Sequence, residues 1–212
     1  MWNRTQMAAR LAQDIPEGWF VNLGIGIPTM VADHVPAERE VILHSENGIL
    51  GMGPAPPPDK VNPWLVNAGK QPVTLRPGGS FFHHADSFGM IRGGHIDLCV
   101  LGAFEVADNG DIANWATSDN DSAPAVGGAM DLAAGAKRLW VVMEHTTKEG
   151  TPKLVEHCSY PLTAPGAVRR VYTNLAVVEI VAGRGFVVKE IVPGMSLAEL
   201  QAKTAATLHT DA

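Results

Sequence analysis

Short aliphatic runs recur along this chain, each closed by turn residues, and they constrain its architecture more than any other feature. Trp19 to Leu23, Val41 to His44, Ile96 to Phe104 and Arg138 to Met143 are too short for globular helices and too uniformly apolar for strands with one wet face. Strands of this kind are buried on both sides, which requires helices over both faces of the sheet. The interleaved segments supply them. Thr5 to Asp14 places Met7, Leu11 and Ile15 on one side, with Thr5 as the expected cap, and Pro28 opens a short helix with Met30, Val31 and Val35 inward. A helix is expected from about Asp86 to Arg92, and a glycine-led one over Gly127 to Ala136. Val171 to Ile180 and Phe186 to Ile191 read as late strands joined through Ala182-Gly183-Arg184-Gly185, and Ser196 to Thr204 as a capped terminal helix. The pattern predicts an α/β fold: a single-domain, open, largely parallel sheet with flanking helices over residues 1–212, without linker or internal repeat.

Composition narrows the function classes. With 212 residues, 46% of them hydrophobic and 18% charged, the chain can bury a substantial core. A net charge of −6 gives no basic footprint for nucleic acid, and no charge block suggests a membrane-binding tail. Cys99 and Cys158 are too few for a disulfide framework and lack metal-ligand spacing, so reduced thiols are expected. Met1 to Arg10 lacks a secretory apolar stretch and no run approaches the roughly 18 apolar residues of a membrane span, so the expected location is cytoplasmic. Pro54-Ala55-Pro56-Pro57-Pro58 reads as a stiff loop, either shaping a pocket mouth or simply connecting.

Ser45-Glu46-Asn47-Gly48 places a lone carboxylate where the Val41 to His44 strand ends in a strong turn signal. Ligands of open α/β sheets gather outside the carboxyl ends of strands, so Glu46 reads either as a surface turn acid or as a reactive group. Gly24 and Gly26, after the first strand, serve either tight packing or close approach of a ligand; Thr29 stands where a dinucleotide fingerprint needs its third glycine, which rejects that site. The amides of Gly127 and Gly128 begin a helix and either form a turn or donate to a developing oxyanion. Asn114 either orients a substrate oxygen or staples a loop, and Lys70 is either a solvated charge or a partner for a carboxylate or phosphate. Eight histidines include His83-His84, but adjacent strand residues point apart and no HxxxH spacing occurs, so no metal site is expected. His44 shares the side of Glu46 on an ideal strand, and Ser45 has no triad partners, which leaves it a positioning hydroxyl beside Asn47 and Gly48.

The string His44-Ser45-Glu46-Asn47-Gly48-Ile49-Leu50-Gly51-Met52-Gly53-Pro54 resembles the active-site signature of the B subunit of family I 3-oxoacid CoA-transferases. The likeness continues in order through Asn22 to Thr29, Asn67 to Lys70, Met90 to His95, Gly110 to Trp115 and Gly127 to Leu132, nearly the whole chain.

That resemblance implies Glu46 as a nucleophile forming a glutamyl-CoA thioester, with the Gly127-Gly128 region opposite it at the thioester oxygen. It implies CoA esters as substrates, no permanently bound cofactor, ping-pong chemistry from succinyl-CoA to a 3-oxo acid, and a partner A subunit completing the site. Phe82 to Phe88 and Pro124 to Gly128 resemble the 3-oxoadipate branch more than the acetoacetate branch, which makes succinyl-CoA:acetoacetate transfer the alternative. A non-catalytic CoA-ester-binding module is the alternative from another class.

Overall fold

The computed structural model describes residues 1–36, 38–118 and 125–211. Helix α1 spans Arg4–Asp14 and is started by a capping box earlier than expected: Asn3, not Thr5, accepts from the Gln6 amide, and the Gln6 side chain accepts from the Asn3 amide. Pro16 disfavours helical geometry at Ile15, which is extended at ψ 117, and the helix ends there.

Strand β1 (Phe20–Leu23) leads through Gly26, at φ 93, into the short helix α2 (Ile27–Met30) and a 3-10 turn over Val31–His34. Strands β2 (Ile42–Ser45) and β3 (Ile49–Met52) form an antiparallel hairpin, and β4 (Leu75–Phe81) pairs with β3. Helix α3 covers His84–Arg92, starting earlier than expected because His83 caps it through the Ala85 amide. Then follow β5 (Leu98–Leu101), β6 (Glu105–Ala107), β7 (Ile112–Ala113), helix α4 (Ala129–Gly135), β8 (Leu139–Met143) and β9 (Leu154–Val155). The chain closes with β10 (Val168–Thr173), β11 (Ala176–Val181), β12 (Gly185–Ile191), α5 (Leu197–Gln201) and β13 (Leu208–Thr210).

Ten strands make one sheet in the order β13-β12-β11-β10-β8-β5-β1-β2-β3-β4. Its centre, from β10 through β8, β5 and β1 to β2, is parallel; antiparallel pairs extend it on both sides, and β13 closes one edge parallel to β12. A small second sheet has the order β7-β6-β9. The single strand expected over Val171 to Ile180 is instead divided between two antiparallel strands, β10 and β11: Thr173 Oγ accepts from the Leu175 and Ala176 amides and turns the chain.

The central strands alternate between two cores, as a doubly covered sheet requires. Leu98, Val100, Trp140 and Val142 pack with Met7 and Leu11 of α1, while Cys99, Leu101, Leu139 and Val141 pack with Ile91 of α3 and Leu132 of α4. Among the described residues no helix is long and apolar enough to cross a membrane.

Candidate active site

The strand order reverses at β1: its next strand in sequence, β2, lies on one side and β5 on the other. This is the switch point at which open α/β sheets hold ligands, because the connections diverge and leave a crevice. A cavity of about 540 Å³ lies there, lined by Gly24, Ile25 and Pro28 after β1, Gly102 and Ala103 after β5, and Glu144 after β8. Gly24 is required by the close approach of β1 to β5, since a Cβ there would sit 2.9 Å from Leu101 Cδ2 and 3.0 Å from Val100 O.

Glu46 lines this cavity from the end of β2. Ser45 and Ile49 are paired, so Glu46, Asn47 and Gly48 form a three-residue hairpin loop, closed by the Gly48 amide donating to Ser45 O at 2.9 Å. Gly48 has φ 108, and a Cβ would collide with Phe82 O at 2.2 Å, so only glycine fits. Three contacts then fix the loop. Asn47 Nδ2 donates to Val66 O at 2.8 Å, Ser45 Oγ accepts from the Ala68 amide at 3.0 Å, and His84 Nδ1 sits 3.0 Å from Glu46 O.

The carboxylate is half-buried and, among the described residues, in no ion pair. Burial raises its pKa above the ordinary glutamate value, and the nearby His84 charge partly opposes that. Glu144, the other cavity carboxylate, is 42% exposed and lies 3.9 Å from the exposed Arg4, so water and that cation screen it. Of the two, Glu46 is the one free to meet an electrophile.

Gly128, the N-cap of α4, faces the acid: a Cβ built on it would lie 3.5 Å from Glu46 Oε2 and only 2.8 Å from Phe88 Cζ. Gly127 precedes it at φ 57; of Pro124 to Gly128, Pro124 lies outside the described residues. Beneath the acid runs a buried polar chain. Cys99 Sγ is 3.9 Å from Asn22 Oδ1, Asn22 Nδ2 donates to His44 Nδ1 at 2.9 Å, and His44 Nε2 therefore carries the proton toward Ser87 Oγ, also at 2.9 Å. Burial lowers the His44 pKa to about 4, so the imidazole is neutral and ties β2 to α3. Burial also pushes the Cys99 thiol up, away from thiolate chemistry.

The remaining sequence candidates divide. Asn114 lines the cavity, but its side chain is engaged at both ends: Nδ2 donates to Gly102 O at 3.2 Å and Oδ1 accepts from Thr163 Oγ at 2.6 Å. Lys70 is exposed at φ 62 and outside the cavity lining, although its loop neighbour Ala68 is part of it. Gly26 caps α2 with open space around it. His83 and His84 point to different partners, and among the described residues no group of three or more His, Cys, Asp or Glu side chains gathers to hold a metal. Sequence reasoning missed Lys153, Arg4 and Glu144 in the cavity wall; each is brought there by tertiary packing, with no local motif to signal it.

A partly desolvated carboxylate at a strand end, beside a glycine-started helix and lining a cavity, suits nucleophilic acyl chemistry. Comparison with known proteins agrees in class. The B subunit of a 3-oxoadipate CoA-transferase from Acinetobacter baylyi is 55% identical over 205 residues, 97% of this chain and 94% of that one. The B subunit of a probable succinyl-CoA:3-ketoacid coenzyme A transferase from Bacillus subtilis is 47% identical, covering 96% and 93%. An acyl-CoA transferase structure from Escherichia coli O157:H7 has the same fold, with a TM-score of 0.76 at 21% identity; the match covers 99% of this chain and 42% of that longer one. The coenzyme A transferase family model matches residues 4–203, and with these two relatives it shows that this chain belongs to the coenzyme A transferases and is a CoA-transferase subunit.

Proposed function

We propose that this chain is the catalytic B subunit that moves CoA from succinyl-CoA to a 3-oxo acid, with 3-oxoadipate as the acceptor, and that residues 1–212 act as one domain. The observation that carries the reading is Glu46, a half-buried carboxylate without an ion pair among the described residues, held at the switch-point cavity with Gly128 against its Oε2. The higher identity to the 3-oxoadipate enzyme, 55% against 47%, supports that acceptor over other 3-oxo acids, with acetoacetate as the second reading.

Ionised Glu46 attacks the thioester carbonyl carbon and expels CoA thiolate, leaving a succinyl-glutamyl anhydride. The thiolate then attacks the glutamyl carbonyl, which frees succinate and leaves CoA on Glu46 as a thioester. The acceptor carboxylate reverses both steps and departs as its CoA ester. Activation energy stays in the anhydride and thioester bonds, so the sequence consumes neither ATP nor a permanently bound cofactor. The amides of Gly127 and Gly128 stabilise the tetrahedral oxyanion, a donor of this kind contributing on the order of 3 kcal/mol to the barrier. Ser45, Asn47 and Gly48 hold the nucleophile's backbone, and Asn114 holds the opposite wall. Lys70 lies outside the wall of this chain's cavity and reaches CoA only from the loop beside Ala68. The mouth at Ile25 and Phe104 is exposed, 73% and 39%, and an A subunit closes it against water.

The test is label transfer from succinyl-CoA by the chain assembled with its A subunit, offered 3-oxoadipate and acetoacetate in parallel. CoA ester formation on 3-oxoadipate with ping-pong kinetics is expected. Thioester loss without transfer, or full activity from this chain alone, would refute the proposal.

A further inference from the structure

Lys153 stands just before β9 with its backbone pinned on both sides: its amide donates to His145 O and its carbonyl accepts from the Val106 amide, each at 3.0 Å. The side chain enters the cavity wall, where Nζ donates to Ala103 O at 2.8 Å. The preceding carbonyl, Gly102 O, accepts from Asn114 Nδ2. Two donor side chains thus land on consecutive carbonyls of the segment that leaves β5, and both line the cavity that holds Glu46.

An ammonium has three protons to donate, and Ala103 O uses one. Among the described residues Lys153 makes no ion pair within 4.0 Å. The nearest carboxylates act on it only from beyond 4.0 Å: Glu144 lies 3.9 Å from Arg4, and Glu105 accepts from the Ser159 amide and hydroxyl at 2.6 and 2.8 Å. Burial lowers the lysine's pKa, and the fields of Glu144 and Glu105 only partly restore it. A half-buried cation with no ion-pair partner within 4.0 Å among the described residues, set beside Leu101, Leu132, Val142 and Met143 in the cavity wall, is a cost that an anionic ligand would offset. A cavity of 540 Å³ is about 10 Å across if compact, room enough for a short dicarboxylate chain, and Glu46 and Lys153 both line it.

We propose that Lys153 receives the distal carboxylate of a dicarboxylic acyl group while Glu46 attacks the thioester end. The proposal rests on the transferase reading above. It makes Lys153 a specificity residue that favours succinyl and 3-oxoadipyl groups over acyl groups that end in a methyl.

The experiment uses the complete complex with the A subunit, wild type, Lys153→Met and Lys153→Arg. It measures kcat/KM for succinyl-CoA with 3-oxoadipate and for a monocarboxylic pair, butyryl-CoA with acetoacetate, together with calorimetric binding of succinate and butyrate. Loss of a charged hydrogen bond is expected to reduce the dicarboxylate-to-monocarboxylate ratio about ten- to a hundredfold in Lys153→Met, with the arginine variant keeping most of it. Succinate binding should weaken similarly while butyrate binding does not. Equal loss on both substrate pairs, or no loss on either, would overturn the proposal, because a purely structural staple predicts one or the other. A wild-type complex that binds succinate in a Lys153-dependent way without transferring CoA would refute the transferase reading, and succinate binding unchanged in Lys153→Met with transfer intact would refute this inference alone.

Discussion

Replacing Gly128 by alanine tests whether that glycine exists for the reaction or for the fold. Its backbone, at φ −70 and ψ −11, suits any residue, so alanine brings no backbone strain and should stabilise by about 0.4–1 kcal/mol through the unfolded ensemble. The added methyl, however, lands 2.8 Å from Phe88 Cζ, 3.2 Å from Cε1 and 3.5 Å from Glu46 Oε2. The first contact is about 0.6 Å short of ordinary van der Waals distance, so the ring must move. Phe88 packs edge-on against His84 at 4.8 Å between centroids, and His84 contacts the Glu46 carbonyl, so the displacement reaches the nucleophile. Overpacking costs about 1–3 kcal/mol, leaving a net loss of about 0–2.5 kcal/mol after the backbone gain. Misplacing a reacting group by 1 Å costs on the order of a hundredfold, so a shift of roughly half that predicts a kcat lower by about tenfold or more. The assay is steady-state CoA transfer by the assembled complex, with thermal unfolding alongside. Gly89→Ala is the control: that helical glycine has open space around it, and its alanine variant should keep wild-type kcat. A Gly128→Ala complex with wild-type kcat would refute the placement of Gly128 against the reacting carboxylate.

Acid should destabilise the fold through two buried histidines. His44 and His145, the latter held between Thr173 and Thr204 hydroxyls, have folded pKa values of about 4, so between there and the ordinary 6.5 the unfolded chain binds more protons and stability falls as pH falls. Denaturant titrations near pH 7.5 and pH 5 should differ by about 2 kcal/mol per histidine, less in His145→Gln; a flat profile would contradict neutral burial. His84→Ala removes the charge that lowers the Glu46 pKa, so the acid limb of kcat/KM should move to higher pH, and a shift to lower pH would exclude that role. Gly48→Ala should cost at least about 2–3 kcal/mol by thermal or chemical unfolding, because a Cβ would overlap Phe82 O and the φ of 108 is strained for alanine.

The parallel centre of the sheet was legible because its strands are apolar on both faces, and Glu46 was legible because Asn47-Gly48 so strongly favours a turn there. Hairpin partners β3 and β4 were not. Gly51 interrupts one, and Pro77, Gly78 and Gly79 interrupt the other, so neither carries a clean period of two. The break between β10 and β11 was hidden inside Val171 to Ile180, a largely apolar stretch in which only the hydrogen bonds of Thr173 reveal the turn. Helix α1 began at Asn3 because the reciprocal partner Gln6 decides between two nearby capping candidates. At the site, motif residues were readable and the far wall was not: Lys153 is a lone lysine after a proline until the β5 exit and β9 bring its Nζ to Ala103. The polar chain from Cys99 to Ser87 joins four elements and leaves no trace in any one of them.

The proposed reaction depends on CoA being carried on Glu46. Mass spectrometry of the complete complex, incubated with succinyl-CoA without acceptor and digested, tests it directly. A CoA adduct is expected on the peptide containing Glu46, discharged when 3-oxo acid is added and absent in Glu46→Gln. An adduct on Glu144 or any other acid, or one that survives Glu46→Gln, would contradict it.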